Sequence, residues 1–154
     1  MKVIAIISFI LMAVYLLFCA IRYGVKGYVS DNYYIAKEKW LFSAMMMSTA
    51  VVLCPLMITK GGDTWGFLGA LAGFGLLLVG VEPHYKDFGG LAHNIGAYMS
   101  AVSSIVFSYV FKPFWLVQAL LAMAVLVLIF GRKHLFYIGE VTLFTLIYLV
   151  LIFA

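Results

Sequence analysis

The sequence predicts an all-α fold: a polytopic integral membrane protein built as a bundle of six transmembrane helices. Of 154 residues, 66% are hydrophobic and 10% charged, against about 45–50% apolar and about 25% charged in soluble domains. A chain this short has too much surface for its volume to hide that excess from water, so its solvent is lipid. The apolar residues also fall into six runs, each closed by charges, glycine or proline or by the end of the sequence. The expected organisation is a single transmembrane domain over residues 1–154 with no soluble domain.

The first run, residues 3–21, stops at Arg22, Gly24 and Lys26. No A-x-A cleavage pattern precedes Cys19-Ala20, so this run is expected to stay as a helix. The second, 40–58, opens on Trp40, an interfacial anchor, and ends in the turn Lys60-Gly61-Gly62-Asp63. The third, 64–81, runs into Glu82-Pro83, and the fourth, 92–111, into Lys112-Pro113. The fifth, 114–130, is stopped by Gly131-Arg132-Lys133-His134, and the sixth is 135–153. Each holds 17 to 20 residues, enough for a ~30 Å hydrocarbon core at about 1.5 Å per residue. Five spans with one long kinked segment is the alternative, because runs four and five nearly touch. Lys112-Pro113 favours six, supplying a charge and a helix stop together.

An even span count puts both termini on one side, with Lys2, Lys60 and Lys112. The other side holds Arg22, Lys26, Lys37, Lys39, Lys86, Arg132 and Lys133, seven basic residues against three. That bias places loops 22–39, 82–91 and 131–134 in the cytoplasm and both termini outside. The expected location is a bacterial inner (plasma) membrane. The net charge of +4 is spread over loops and makes no patch, so no nucleic-acid partner is expected. Cys19 and Cys54 fall near opposite membrane faces, beyond disulfide reach, and read as packing residues.

Glycines at 66, 69, 73 and 80 share one face of the third run. Missing side chains there let another backbone come close, and a substrate groove along that face is the second reading. The longest polar segment is loop 22–39, in which Ser30-Asp31-Asn32 has the character of a turn or cap.

The densest polar stretch is Glu82-Pro83-His84-Tyr85-Lys86-Asp87-Phe88-Gly89-Gly90-Leu91-Ala92-His93-Asn94. His84, Asp87 and His93, with Glu82, offer nitrogen and oxygen ligands suited to zinc or another divalent ion. Their spacing forms no closed motif, and a polar turn between two helices is the other reading. His93 opens the fourth helix. Ala97, Ser100 and Ser104 follow at helical spacing, so a small and polar stripe descends beneath the imidazole, with Ser103 and Ser108 nearby. Either these serines satisfy neighbouring backbone, or they line a crevice.

Glu140 stands about six positions into the sixth run, roughly 9 Å below the loop by helix rise. A carboxyl so deep is costly and marks a functional candidate, a hydrogen bond to another helix being the structural alternative. Lys133 lies seven residues earlier on the same face. Helices four and six enter from the same side, so His93, Glu140, Asp31 and Arg132-Lys133-His134 gather at one membrane face. A site open to one side needs that asymmetry, and charge-biased insertion also produces it.

Val29-Ser30-Asp31 before a helix, then Glu38-Lys39-Trp40-Leu41-Phe42, resembles the first loop and second helix of the six-span Frag/DRAM/Sfk membrane proteins. His93-Asn94-Ile95-Gly96-Ala97 opening helix four and Glu140 early in helix six are similar to that family as well. The group includes GPI-lipid remodelling factors and prokaryotic relatives, and the likeness covers nearly the whole chain. It implies lipid-linked chemistry or lipid handling, carried by Asp31, His93 and Glu140.

Three functions are open at this stage. The first is a membrane-embedded enzyme or accessory factor acting on a lipid or lipid-linked substrate. His93 is then base or metal ligand, Glu140 acid or ligand, Asp31 or Asp87 the orienting group, and Arg132 and Lys133 the headgroup contacts. The second is a small transporter or channel subunit, against which residues 106–111 and 146–153 carry only Ser108, Tyr109 and Tyr148 as polar groups. The third is a non-catalytic assembly subunit or homo-oligomer whose glycine face and aromatic residues are interaction surface.

Overall fold

Hydrocarbon offers no partner for a backbone N–H, so a chain spanning lipid must satisfy its hydrogen bonds within each segment, and helices do this. The structure, a computed structural model that describes residues 1–81 and 90–153, is helical with no strand among those residues. Helices α1 (Lys2–Tyr23), α2 (Asp31–Ile35), α3 (Trp40–Val81), α4 (Leu91–Phe111), α5 (Pro113–Phe130) and α6 (Leu135–Phe153) follow in order, with a 3-10 turn at Arg132–His134. All but the five-residue α2 are long and apolar enough to cross a membrane, five helices among the described residues. The chain is an integral membrane protein.

α3 has 42 residues and as a straight rod would measure about 63 Å, twice the hydrocarbon thickness. It is not straight. Gly62 has φ 57° and ψ −153°, a backbone state essentially reserved for glycine. There the chain reverses, and arms 40–61 and 63–81 run antiparallel. Four glycines of the second arm meet the first in reversed order: Gly66 against Ile58, Gly69 against Met57, Gly73 against Cys54, Gly80 against Met46 and Met47. A Cβ at Gly73 would collide with that of Cys54, so the arms touch only because the side chain is missing. Packing, not a substrate groove, occupies the 66/69/73/80 face. The expected turn at 60–63 narrows to a single glycine.

The same arm seats α4 through a second close approach. A Cβ at Gly75 would stand 2.5 Å from the Gly96 carbonyl oxygen, and one at Gly96 would stand 2.6 Å from the Gly75 oxygen. Lys112, with φ −149° and ψ 67°, separates α4 from α5, and Pro113 takes the first helical position, where its missing N–H costs nothing. Among the described residues α4 and α5 are therefore separate helices, and with the two arms of α3 they bring the long helical arms to six.

The core lies among α1, α3, α4 and α6, around Met12, Phe42, Met46, Leu53, Phe107 and Tyr148. Ser8 and Tyr148 share a buried hydrogen bond that ties α1 to α6. α5 buries no residue, and its Leu121, Leu128 and Ile129 face outward, as do Val3, Ile7 and Val14 of α1. This apolar exterior is what lipid requires. Both cysteines are free, Cys19 buried and Cys54 half-buried, and Cys54 packs against Gly73 as a small apolar group.

Candidate functional site

The first loop is bound to the start of α6 by three hydrogen bonds and a ring stack. His134 Nδ1 lies 3.0 Å from the Lys26 carbonyl oxygen; because a carbonyl only accepts, Nδ1 carries the proton. The Tyr137 amide, one of the α6 donors without a helical acceptor, donates to Gly27 O at 2.9 Å. Tyr28 stacks on Phe136 with ring centroids 4.9 Å apart. The Val29 amide donates to Glu140 Oε2 at 2.7 Å.

The next amide back, that of Tyr28, donates to Asp31 Oδ2 at 2.9 Å. Two acidic side chains thus hold consecutive backbone N–H groups, Asp31 from within the loop and Glu140 from α6. Ser30 makes no side-chain cap at the start of α2, so the Ser-Asp-Asn segment turns through Asp31 instead. Glu140 Oε1 has no partner among the described residues.

His93 is the third residue of α4, half-buried, three positions after Gly90 delivers the chain into the helix with φ 78°. His93 and Glu140 line one cavity of about 70 Å³. Ser30 and Val29 stand at its loop end, and Ala97, Ser100 and Ser104 descend one wall. The stripe expected beneath the imidazole is therefore a cavity wall. Ser103 and Ser108 are buried but do not line it. Leu53, Leu76 and Ile147 also line the cavity, and Phe107, fully buried, lies one helical turn past Ser104. The polar lining does not continue toward the far ends of α4 and α6.

A lateral groove of about 640 Å³ adjoins the cavity between α4, α5 and α6. His93, Ala97, Ala101, Glu140 and Leu143 line both spaces. Tyr28, Asn94 and Tyr98 border the groove near the loops, while Ile105, Leu116 and Leu146 border it farther along.

The other expected residues fall differently. Asp31 is half-buried but does not line the cavity. Arg132 and Lys133 are exposed in the 3-10 turn and line neither space. Glu82, His84 and Asp87 lie outside the described residues, so the proposed zinc set is represented there by His93 alone. Among the described residues no three His, Cys, Asp or Glu side chains converge as metal ligands. His93 of α4 and Glu140 of α6 are the two titratable side chains that line the cavity among the described residues.

Sequence reading did not find the clasp between residues 26–29 and the start of α6. Lys26, Gly27 and Tyr28 carry no motif, and their partners stand over a hundred residues away. Comparison of the chain with protein-family models, with curated proteins and with solved structures finds no match.

Proposed function

We propose that the protein is a six-span membrane protein that binds or modifies a lipid or lipid-linked group at a one-sided site, with His93 and Glu140 as its proton-carrying pair. The observation that supports this most is that an imidazole from α4 and a carboxyl from α6 line one small, largely apolar cavity. That cavity sits beneath a loop clasped to Glu140 itself. The charge bias of the loops places its mouth on the cytoplasmic face.

An imidazole and a carboxyl can each give or take a proton, and among the described residues Glu140 makes its hydrogen bond through Oε2 alone. A hydroxyl, ester or phosphate oxygen between them meets a proton acceptor and a proton donor in a space of low dielectric, the arrangement general acid–base work needs. Asp31 positions this pair indirectly by shaping the turn that presents Val29 to Glu140. Arg132 and Lys133, exposed at the same end, serve as headgroup contacts from the surface. The resemblance of Val29-Ser30-Asp31, His93 and Glu140 to the Frag/DRAM/Sfk pattern agrees with lipid handling.

A transport path through one copy is less favoured, because the cavity lining ends at the level of Ser104 and Ile147. The test is the lipid composition of membranes from cells expressing the wild type, His93→Ala, Glu140→Gln or the double variant. The wild type shifts one lipid class, each single variant loses that shift, and the double variant is no worse than either single one. Equal profiles from wild type and variants at matched expression reject the reading.

A further inference from the structure

The cavity between His93 and Glu140 is too small for a lipid. At about 70 Å³, with a water needing ~10–15 Å³ by the same measure, it holds a few waters or one polar group. A lipid reaching it must leave its hydrocarbon elsewhere. We infer that one acyl chain, from a lipid of the leaflet on the loop side, lies in the groove between α4, α5 and α6 and delivers its polar end sideways to His93 and Glu140. This rests on the lipid-site reading above.

Several observations select an acyl chain. The groove is continuous with the cavity through His93, Ala97, Ala101, Glu140 and Leu143, which belong to both. Small residues from three helices hollow it out: Ala97 and Ala101 on α4, Ala119 on α5 and Gly139 on α6. At Gly139 the space is real, since an added Cβ would meet nothing closer than Met123 Sδ at 3.6 Å.

The polarity of the groove is graded. His93, Asn94, Glu140 and Tyr28 stand near the loops, and Ile105, Leu116 and Leu146 line its far part. From His93 to Ile105 the α4 wall rises about 18 Å. One leaflet's share of a ~30 Å hydrocarbon core is about 15 Å. The groove therefore fits one leaflet's depth of chain, with its polar end at headgroup level. A helix from another copy is a poorer occupant, because it would have to satisfy the polar end with an apolar surface.

The experiment uses the full-length protein in phosphatidylcholine nanodiscs doped with phosphatidylglycerol carrying a mid-chain diazirine, with adducts mapped by mass spectrometry. Adducts are expected on Ala101, Ile105, Ala119 and Met123 above the level on the lipid-facing control residues Ile7, Ile10 and Val14. Gly139→Leu fills the groove without touching backbone and should lower groove adducts to the control level, leaving α1 labelling unchanged. Ala119→Phe tests the same point from the opposite wall should the first variant fail to fold.

Uniform labelling of groove and control residues overturns the inference, as do chain-to-chain cross-links in place of lipid adducts. Glu140→Gln separates this idea from the reading beneath it. Groove adducts that survive in a variant whose lipid profile still equals the wild type leave the groove standing and remove the acid–base site. A lost groove signal in wild type with an intact lipid-profile effect does the reverse.

Discussion

Gly75→Ala should loosen the wall that carries the site. The new Cβ would lie 2.5 Å from Gly96 O, 2.8 Å from Ser100 N and 3.0 Å from Ser100 Cβ, where ordinary contact begins at 3.4 Å. Two of these obstacles are backbone, so no rotamer change relieves them, and α4 must move away by several tenths of an ångström. Overpacking of this kind costs about 1–3 kcal/mol, while exchanging glycine for alanine within a helix returns up to about 1 kcal/mol. The expected net loss is about 1–2 kcal/mol.

Gly80→Ala is the control. Its obstacles are Met47 Cγ at 3.0 Å, Met46 Cβ at 3.1 Å and Ser43 O at 3.3 Å, each farther off than the nearest at Gly75, so it should cost less than Gly75→Ala, by about 1 kcal/mol. Unfolding by denaturing detergent in mixed micelles, followed by tryptophan fluorescence, measures both. Should Gly75→Ala prove as stable as wild type, or lose less than Gly80→Ala, the α3–α4 contact described here is wrong. The contact matters for function because Ser100, pressed by Gly75, also lines the cavity with His93.

Glu140→Ala should strand the Val29 amide and cost about 1–3 kcal/mol, releasing the loop to trypsin at Lys26, whereas Glu140→Gln keeps an acceptor and leaves cleavage near the wild-type rate. Gly62→Ala should destabilise by about 1–3 kcal/mol, because a φ of 57° with ψ −153° strains any side chain; the same detergent titration reads it. Ser8→Ala and Tyr148→Phe each remove one partner of a buried hydrogen bond, and each should cost about 1–2 kcal/mol. The double variant should lose clearly less than the sum, as a double-mutant cycle on the same titration will show.

The helical plan was legible because it depends on local composition. Runs at 40–58 and 64–81 were separable from Lys60-Gly61-Gly62-Asp63 alone, and the reversal falls on Gly62. The run at 114–130 begins one residue late only because Pro113 is a helix starter as well as a stop. The face of Gly66, Gly69, Gly73 and Gly80 could be read from spacing within one helix. Gly75 could not: it lies off that face, and its role appears only when Gly96 is brought against it.

The site divides along the same line. His93, Ser100 and Ser104 were assembled from helical periodicity, and Glu140 from the cost of a carboxyl in lipid. That the first loop clasps α6, with Val29 on Glu140 and Lys26 on His134, is a pairing across more than a hundred residues. No local signal encodes it. The groove along α5 was equally hidden, since an alanine at 119 and a glycine at 139 become a hollow only when three helices meet.

The most direct test is an experimental density map of the protein in lipid nanodiscs, read at the space between the His93 imidazole and the Glu140 carboxyl. A non-protein density within hydrogen-bond reach of both groups, extending as a tail along α4 toward Ile105, is the predicted result. A dry wall between them, with each side chain turned to its own protein neighbours, contradicts the account.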